Sequence, residues 1–318
     1  MNRDIRVKDL KTNIEPFNPT SEYLDSMPDL QNGEFDDIPI DFVGIHGFHL
    51  PLQIRQKDGS TQEALVTITG TVSLTAHERG INMSRIIRTM YGHKDDVFDI
   101  NKIEEVLRDY QRDLKTFDAH MLFNYKYRIW QDALVSTKEN GEKEGGWQYY
   151  NVTFDCNLDV DGKFTKIMWV DFLYSSACPC SNALTEHMMY ERGLAGIPHS
   201  QRSVARVGLT FNKMIWIEDL IDTLREVLVT EVLVFCKRAD EQDFSRRNAY
   251  QTKFVEDAVR MIAHALDENP DVLDYKVICS HNESLHAHNA IGVITKHIPG
   301  SIFNHHVSMA EWMDLAHA

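Results

Sequence analysis

Nowhere in the 318-residue chain do eighteen apolar residues run together, so no segment reads as a membrane-spanning helix. The opening stretch, Met1-Asn2-Arg3-Asp4-Ile5, has no apolar signal region, and the expectation is a soluble, cytoplasmic protein without a membrane partner. Cysteine is scarce: Cys156, Cys178, Cys180, Cys236 and Cys279 make an odd number with no extracellular context, so they read as thiols or metal ligands and not as a disulfide framework. Basic residues are outnumbered, 33 Lys plus Arg against 48 Asp plus Glu. The resulting formal charge of −15 repels a nucleic-acid backbone, so no nucleic-acid partner is expected. A few local arginines can still hold a phosphorylated small molecule.

Several metal and nucleotide motifs are also missing. There is no His-Glu-x-x-His, no pair of Cys-x-x-Cys knuckles and no Pro-Cys-x-x-Cys of the base deaminases. Without a Walker loop, any phosphate chain must be held by side chains and strand-edge backbone.

What is present, 43% hydrophobic content over this length, can bury one large core or two modules of ordinary size. Residues 1–40 read as an irregular polar arm. Beyond it, residues 43–54 and 64–74 alternate β-branched and polar residues as half-buried strands do. Ile103, Val106, Leu107, Tyr110, Leu114 and Phe117 recur at helical spacing, with Asn101 as candidate N-cap. Strands are expected over 120–134 and 147–160, joined by a loop over 138–146. Asp161-Gly162 then makes a tight turn into strands over 165–174 and 204–211. Two helices follow, through Leu220, Ile221, Leu224 and Leu228 and through Phe254, Ala258, Ile262 and Leu266, before strands over 275–280 and 290–298. The order strand, strand, helix, strand, strand thus occurs twice. The expectation is an α+β protein of antiparallel sheets with helices on one face, divided into modules 41–162 and 163–318.

Candidate chemistry lies at residues two apart, which share a face in a strand. His286 and His288 would project together from a strand start; the competing view is two surface histidines in a chain that has 15. Cys178 and Cys180 flank Pro179, which favours an edge or loop over a packed strand; the competing view is two small buried hydrophobes. His199 sits in a polar loop where exposure is the ordinary outcome. One thiolate, one imidazole and one carboxylate form a three-ligand catalytic site with open positions, and Glu241 and Glu256, around a helix beginning near Tyr250, are the carboxylate candidates. Both also suit solvated helix charges.

Six motifs occur in an order that resembles one family. They are Asn82-Met83-Ser84-Arg85, Cys178-Pro179-Cys180-Ser181, His199-Ser200-Gln201-Arg202, Lys237-Arg238-Ala239-Asp240-Glu241, Phe254-Val255-Glu256-Asp257 and Glu283-Ser284-Leu285-His286-Ala287-His288. Together they look like the type IB GTP cyclohydrolases. That resemblance implies tandem tunnelling-fold (T-fold) modules and a homotetramer with active sites between subunits, acting on GTP at the entry to folate biosynthesis. It implies a divalent metal (Mn, Zn or Fe) held by Cys178, His199 and Glu241, and Glu256 as the anchor for guanine. His286, His288 and Glu283 become the acid-base and positioning groups. Ser84, Arg85 and Arg202 are the matching choices for the substrate's triphosphate. The stretch Ser181 to Pro198 is longer than the family pattern, which makes His187 a rival ligand, and Asn82 and Ala239 stand where the pattern has His and Pro.

Three other readings share these residues. One is a T-fold enzyme using Cys178 as a covalent nucleophile on a nitrile, with NADPH and no metal. Another is a cyclohydrolase giving a cyclic phosphate product. The third is a purine-binding oligomer without turnover, whose mark would be a missing thiolate, imidazole or Glu241; none is missing.

Overall fold

The computed structural model describes residues 17–28, 38–308 and 311. Most of the expected N-terminal arm, 1–16 and 29–37, lies outside the described residues; within it, a short helix α1 (Ser21–Asp25) is capped by Thr20, whose Oγ1 accepts from Tyr23 N at 3.2 Å. The first half then runs β1 (Ile40–Arg55), β2 (Thr61–Leu74), α2 (Met83–Gly92), β3 (Val97–Phe98), α3 (Ile100–Leu114), β4 (Ala119–Thr137) and β5 (Lys143–Leu158). The second runs β6 (Phe164–Ala177), α4 (Pro179–Arg192), β7 (Ser200–Phe211), α5 (Ile217–Leu228), α6 (Arg238–Tyr250), α7 (Val255–Asp267), β8 (Val272–His281) and β9 (Ala290–Thr295).

All nine strands form one sheet in the order β3-β1-β2-β4-β5-β6-β7-β8-β9, antiparallel except for the short parallel β1–β3 pair. The expected strand, strand, helix, strand, strand order recurs in outline. The first half adds β3 and a second helix, the second has α4 between β6 and β7 and three helices before β8, and β5 pairs with β6 near the middle of the sheet. Their connection is the expected tight turn: Gly162 has φ +78°, and Asp159 Oδ1 accepts from the N–H of Asp161 and Lys163. Apolar side chains of both halves belong to one hydrophobic core. Polar ties also cross the middle, since Glu218 of α5 accepts from Tyr127 Oη of β4 at 2.5 Å and from Lys57 N at 3.0 Å.

Helix α3 shows how the sequence makes an element. Ile100, Ile103, Val106, Leu107 and Tyr110 are all buried, each contributing about 1.5–3 kcal/mol of apolar burial. The N-cap is Asp99 and not Asn101: Asp99 Oδ1 accepts from the N–H of Asn101 and Lys102 at 3.0 and 3.1 Å. The helix stops at Lys115, which is left-handed at φ +57°, so Phe117 falls beyond it and is 52% exposed instead of joining the stripe. The loop expected over 138–146 is shorter, because β4 and β5 keep pairing to Thr137↔Lys143 through residues too polar to register as a strand.

At the end of α2, His93 bridges two carboxylates, with Nδ1 2.9 Å from Asp96 Oδ2 and Nε2 2.9 Å from Asp109 Oδ2. Burial alone would lower its pKa, but the two carboxylate bonds outweigh burial and raise it above 6.5. A group with a raised folded-state pKa stabilises fully below its unfolded value and loses that contribution as pH rises through the folded one. The expected result is that this contribution to thermal stability is lost as pH rises above about 6.5, and that His93→Gln flattens the slope in melts on that side. An unchanged slope in the variant would remove His93 from the account.

Candidate active site

Three strand ends build one corner. Strand β6 ends at Ala177, and Cys178 follows as N-cap of α4, with Pro179 at the first helical position, where its missing N–H costs nothing. Cys178 and Cys180 are thus at a helix start and do not share a strand face. Strand β7 begins beside it: Cys178 N donates to His199 O at 3.2 Å, and His199 N donates to Ser181 Oγ at 3.3 Å. Strand β8 ends at His281, and the loop behind it brings Glu283 to within 3.6 Å (Oε2) of His199 Nδ1.

His199 Nδ1 also lies 3.4 Å from Gln201 Oε1, and Gln201 is held in turn by Nε2 donating to Ser176 Oγ at 2.9 Å. This engages one imidazole nitrogen and leaves Nε2 without a hydrogen bond among the described residues. Glu283 Oε2 is likewise buried without a hydrogen-bond donor. An imidazole engaged through Nδ1 by an oxygen acceptor, here Gln201 Oε1 with the Glu283 carboxylate close by, is the arrangement that presents Nε2 to a metal or a proton acceptor.

His286 and His288 do come together, but in the exposed loop between β8 and β9, not at a strand start. Their rings stack with centroids 4.9 Å apart and planes 9° apart.

Glu241 and Glu256 lie on two successive helices and not around one beginning near Tyr250. Helix α6 ends at Tyr250, and both carboxylates stand exposed in first turns, Glu241 of α6 and Glu256 of α7. The start of α6 is fixed by buried Asp240, which accepts from Val135 N at 2.7 Å, Ser136 N at 3.0 Å, Lys237 N at 2.9 Å and the Ser136 hydroxyl. Burial would raise its carboxyl, yet these donors hold it well below the usual carboxylate range. At the start of α7, Asp257 Oδ2 accepts from Phe254 N at 2.9 Å, which leaves Glu256 free of any capping duty.

The stretch 181–198 is mostly α4, a helix with no buried residue. His187 lies about 13 Å along its axis from Cys178, at ~1.5 Å per residue. His199, by contrast, is joined to Cys178 by a backbone bond, so the chain favours His199 beside the thiol.

Ser84 and Arg85 are not brought to this corner within one chain. They lie on α2, which packs on α3 and β1, and four strands separate β1 from β7. There Arg85 Nη1 donates to Asp113 O at 2.7 Å, and Arg85, Arg88, His93 and Asp109 line a cavity of about 530 Å³. Arg202 is exposed on β7, paired with Ser175. Among the described residues, no three of His, Cys, Asp and Glu are gathered as a metal site: Cys178 and His199 are joined through their backbones, Glu283 lies near the His199 ring, and Glu241 stands on α6. Sequence reading alone misses two buried polar residues behind the corner, Lys253 and His281, each 3% exposed.

Comparison with known proteins gives a consistent result. A family model described as type I GTP cyclohydrolase folE2 matches residues 27–292. Proteins described as GTP cyclohydrolase FolE2 are 42% identical in Cereibacter sphaeroides (88% of this chain, 78% of that protein) and 40% identical in Paracoccus denitrificans (91% and 89%). Among solved structures, the uricase of Arthrobacter globiformis superposes with a TM-score of 0.50 at 9% identity, over 83% of this chain and 96% of that one. At that identity the likeness speaks for the fold alone, which is the tunnelling fold.

Proposed function

Because the chain belongs to the type I GTP cyclohydrolase folE2 family, we propose that it hydrolyses GTP at C8 of guanine, releasing formate and giving 7,8-dihydroneopterin triphosphate for tetrahydrofolate biosynthesis. The observation that carries this reading is the corner where the ends of β6 and β8 and the start of β7 deliver Cys178, Glu283 and His199. The finer points belong to the same proposal: the type IB subclass, a cytoplasmic homotetramer, and a module boundary at the turn 159–163. Two features favour assembly. One edge of the sheet is the two-residue β3, which pairs only with Gln53 and Ile54 of β1, and the other is β9, and the α2 arginines stand far from the corner along the strand order.

The site residues fit a divalent metal by their chemistry. Cys178 offers a thiol at a helix start, His199 a free Nε2, and Glu241 a carboxylate in the first turn of a firmly capped helix. A mixed S, N, O set accepts zinc, manganese or iron. Bound there, such an ion supplies a Lewis acid that makes water nucleophilic near neutral pH. The chain's own residues do the rest. Glu256 accepts from the N–H groups of the guanine edge and sets its orientation. As water adds to C8 and the imidazole ring opens, the departing ring nitrogen needs a proton, a role we assign to the His286/His288 pair, whose rings stack in the loop after β8. Gln201, held by Ser176, orients the His199 ring through Nδ1, with the Glu283 carboxylate 3.6 Å from that nitrogen. Hydrolysis of the resulting formamide releases formate, and the remainder closes to the pterin after ribose rearrangement. Arg85, Arg202 and Ser84 are assigned to the triphosphate, with α2 contributed by another subunit.

The test is incubation of the metal-supplied protein with GTP, measuring formate and identifying the pterin by mass. Formate with an intact triphosphate is expected. Formate with a cyclic phosphate would correct the product, and no formate from folded protein would overturn the reading.

A further inference from the structure

Arg88 of α2 takes no part in the reaction scheme above and lies one turn beyond the Asn82–Arg85 motif. Its Nε donates to Ser84 O and its Nη2 to Ser84 Oγ, both at 3.4 Å, while Arg85, three residues earlier on the same helix face, donates to Asp113 O. These acceptors are all neutral. Among the described residues no carboxylate pairs with either guanidinium, in a chain whose Asp and Glu outnumber Lys and Arg by 48 to 33.

Both arginines line the cavity of about 530 Å³ between α2 and α3, and two acids, Asp109 and Asp113, stand in its wall. The acids are already engaged. Arg112 Nη1 lies 2.6 Å from Asp109 Oδ1 and Arg112 Nε 3.0 Å from Asp113 Oδ1. His93 Nε2 lies 2.9 Å from the other oxygen of Asp109, and Thr89 Oγ1 donates to Asp113 Oδ2 at 3.3 Å. The wall's negative charge is thus met from within the protein, and the charge left without a partner at the cavity is that of two guanidiniums.

That balance selects an anion, and the forked donors of arginine suit phosphate oxygens. Residues 85 and 88 are about 4.5 Å apart along the helix axis, at ~1.5 Å per residue, so they can meet successive groups of one chain. The volume falls in the range of roughly 300–1,000 Å³ usual for small-molecule sites, which is room for a chain of phosphates and not just one ion.

We infer that the α2–α3 cavity is a polyphosphate subsite in which Arg88, beside Arg85, binds the terminal phosphates of the substrate and makes the enzyme prefer a triphosphate to a shorter chain. This rests on the proposed function and adds a binding residue to it. The contact is present before and during ring opening alike, so Arg88 governs KM and leaves kcat nearly untouched.

Arg88→Ala tests the inference through GTP turnover, inhibition by GMP, and calorimetry with inorganic tripolyphosphate. Expected are a rise of about tenfold or more in KM for GTP and in the tripolyphosphate dissociation constant, with kcat within about threefold of wild type. The inhibition constant of GMP, which lacks the terminal phosphates, should change less than about twofold, and the melting temperature should hold because the side chain is exposed. Unchanged KM and tripolyphosphate affinity would overturn the inference, and so would an equal loss for GMP. Should Arg88→Ala fail to fold, Arg88→Lys keeps the charge without the fork and should weaken tripolyphosphate about threefold; undiminished binding overturns the inference equally. Wild type that releases no formate would overturn the parent reading, and calorimetry then judges the cavity by itself: tripolyphosphate bound by wild type and weakened in the variant upholds the subsite, whereas equal binding overturns it.

Discussion

Cys178→Ala should lower formate release from GTP by about a thousandfold or more while leaving the fold in place, because it removes the thiol from the proposed ligand set. The structural cost should be small. Cys178 makes no side-chain cap bond to α4, its backbone bond to His199 O survives the substitution, and its side chain is only half-buried. The expected change in stability is therefore within about 1 kcal/mol. Measuring turnover, bound metal and melting temperature on one preparation separates the possibilities. Loss of activity and metal with an intact melt is the predicted pattern; full activity with metal still bound would show that Cys178 is not a ligand.

Glu256→Gln should be nearly as damaging through a different step. A carboxylate that accepts from guanine N–H groups becomes an amide whose NH₂ faces those donors, leaving buried polar groups of the bound base unpaired. A loss of about a hundredfold to a thousandfold in kcat/KM for GTP is expected, with metal content unchanged. Stability should hardly move, since Asp257 and not Glu256 caps α7. A variant that retains wild-type kcat/KM would remove Glu256 as the anchor.

The sheet is legible in the sequence because its strands alternate. Strand β2 buries Gln62, Ala64, Val66, Ile68, Gly70, Val72 and Leu74 in strict turn, and that period is the strongest local signal a chain carries. Helices α3, α5 and α7 are legible for the matching reason, an apolar stripe packed on the core. Helices α4 and α6 are not. Neither buries an apolar residue, so nothing in their residues marks a helical face. That is why the stretch after Cys180 reads as an insert and why Glu241 and Glu256 read as neighbours of one helix.

At the site, the motifs identify which residues take part, whereas the geometry depends on strand pairing. The backbone bond from Cys178 to His199 follows from the pairing of β6 with β7, which continues to Ala177↔Ser200. The approach of Glu283 follows from β8 ending at His281. Lys253 and His281 lie outside sequence reasoning altogether, because a buried lysine and an exposed one look alike in a single chain.

The central claim is a metal-assisted opening of the guanine ring at the Cys178–His199 corner. Its most direct test is to strip the protein with a chelator, confirm that it remains folded, and supply GTP with and without Mn²⁺, Zn²⁺ or Fe²⁺ while following formate and, after oxidation, pterin fluorescence. Formation of both products only when metal is restored is the predicted result. Equal formation without metal would contradict the metal's role, and neither product with metals restored would contradict the ring-opening activity itself.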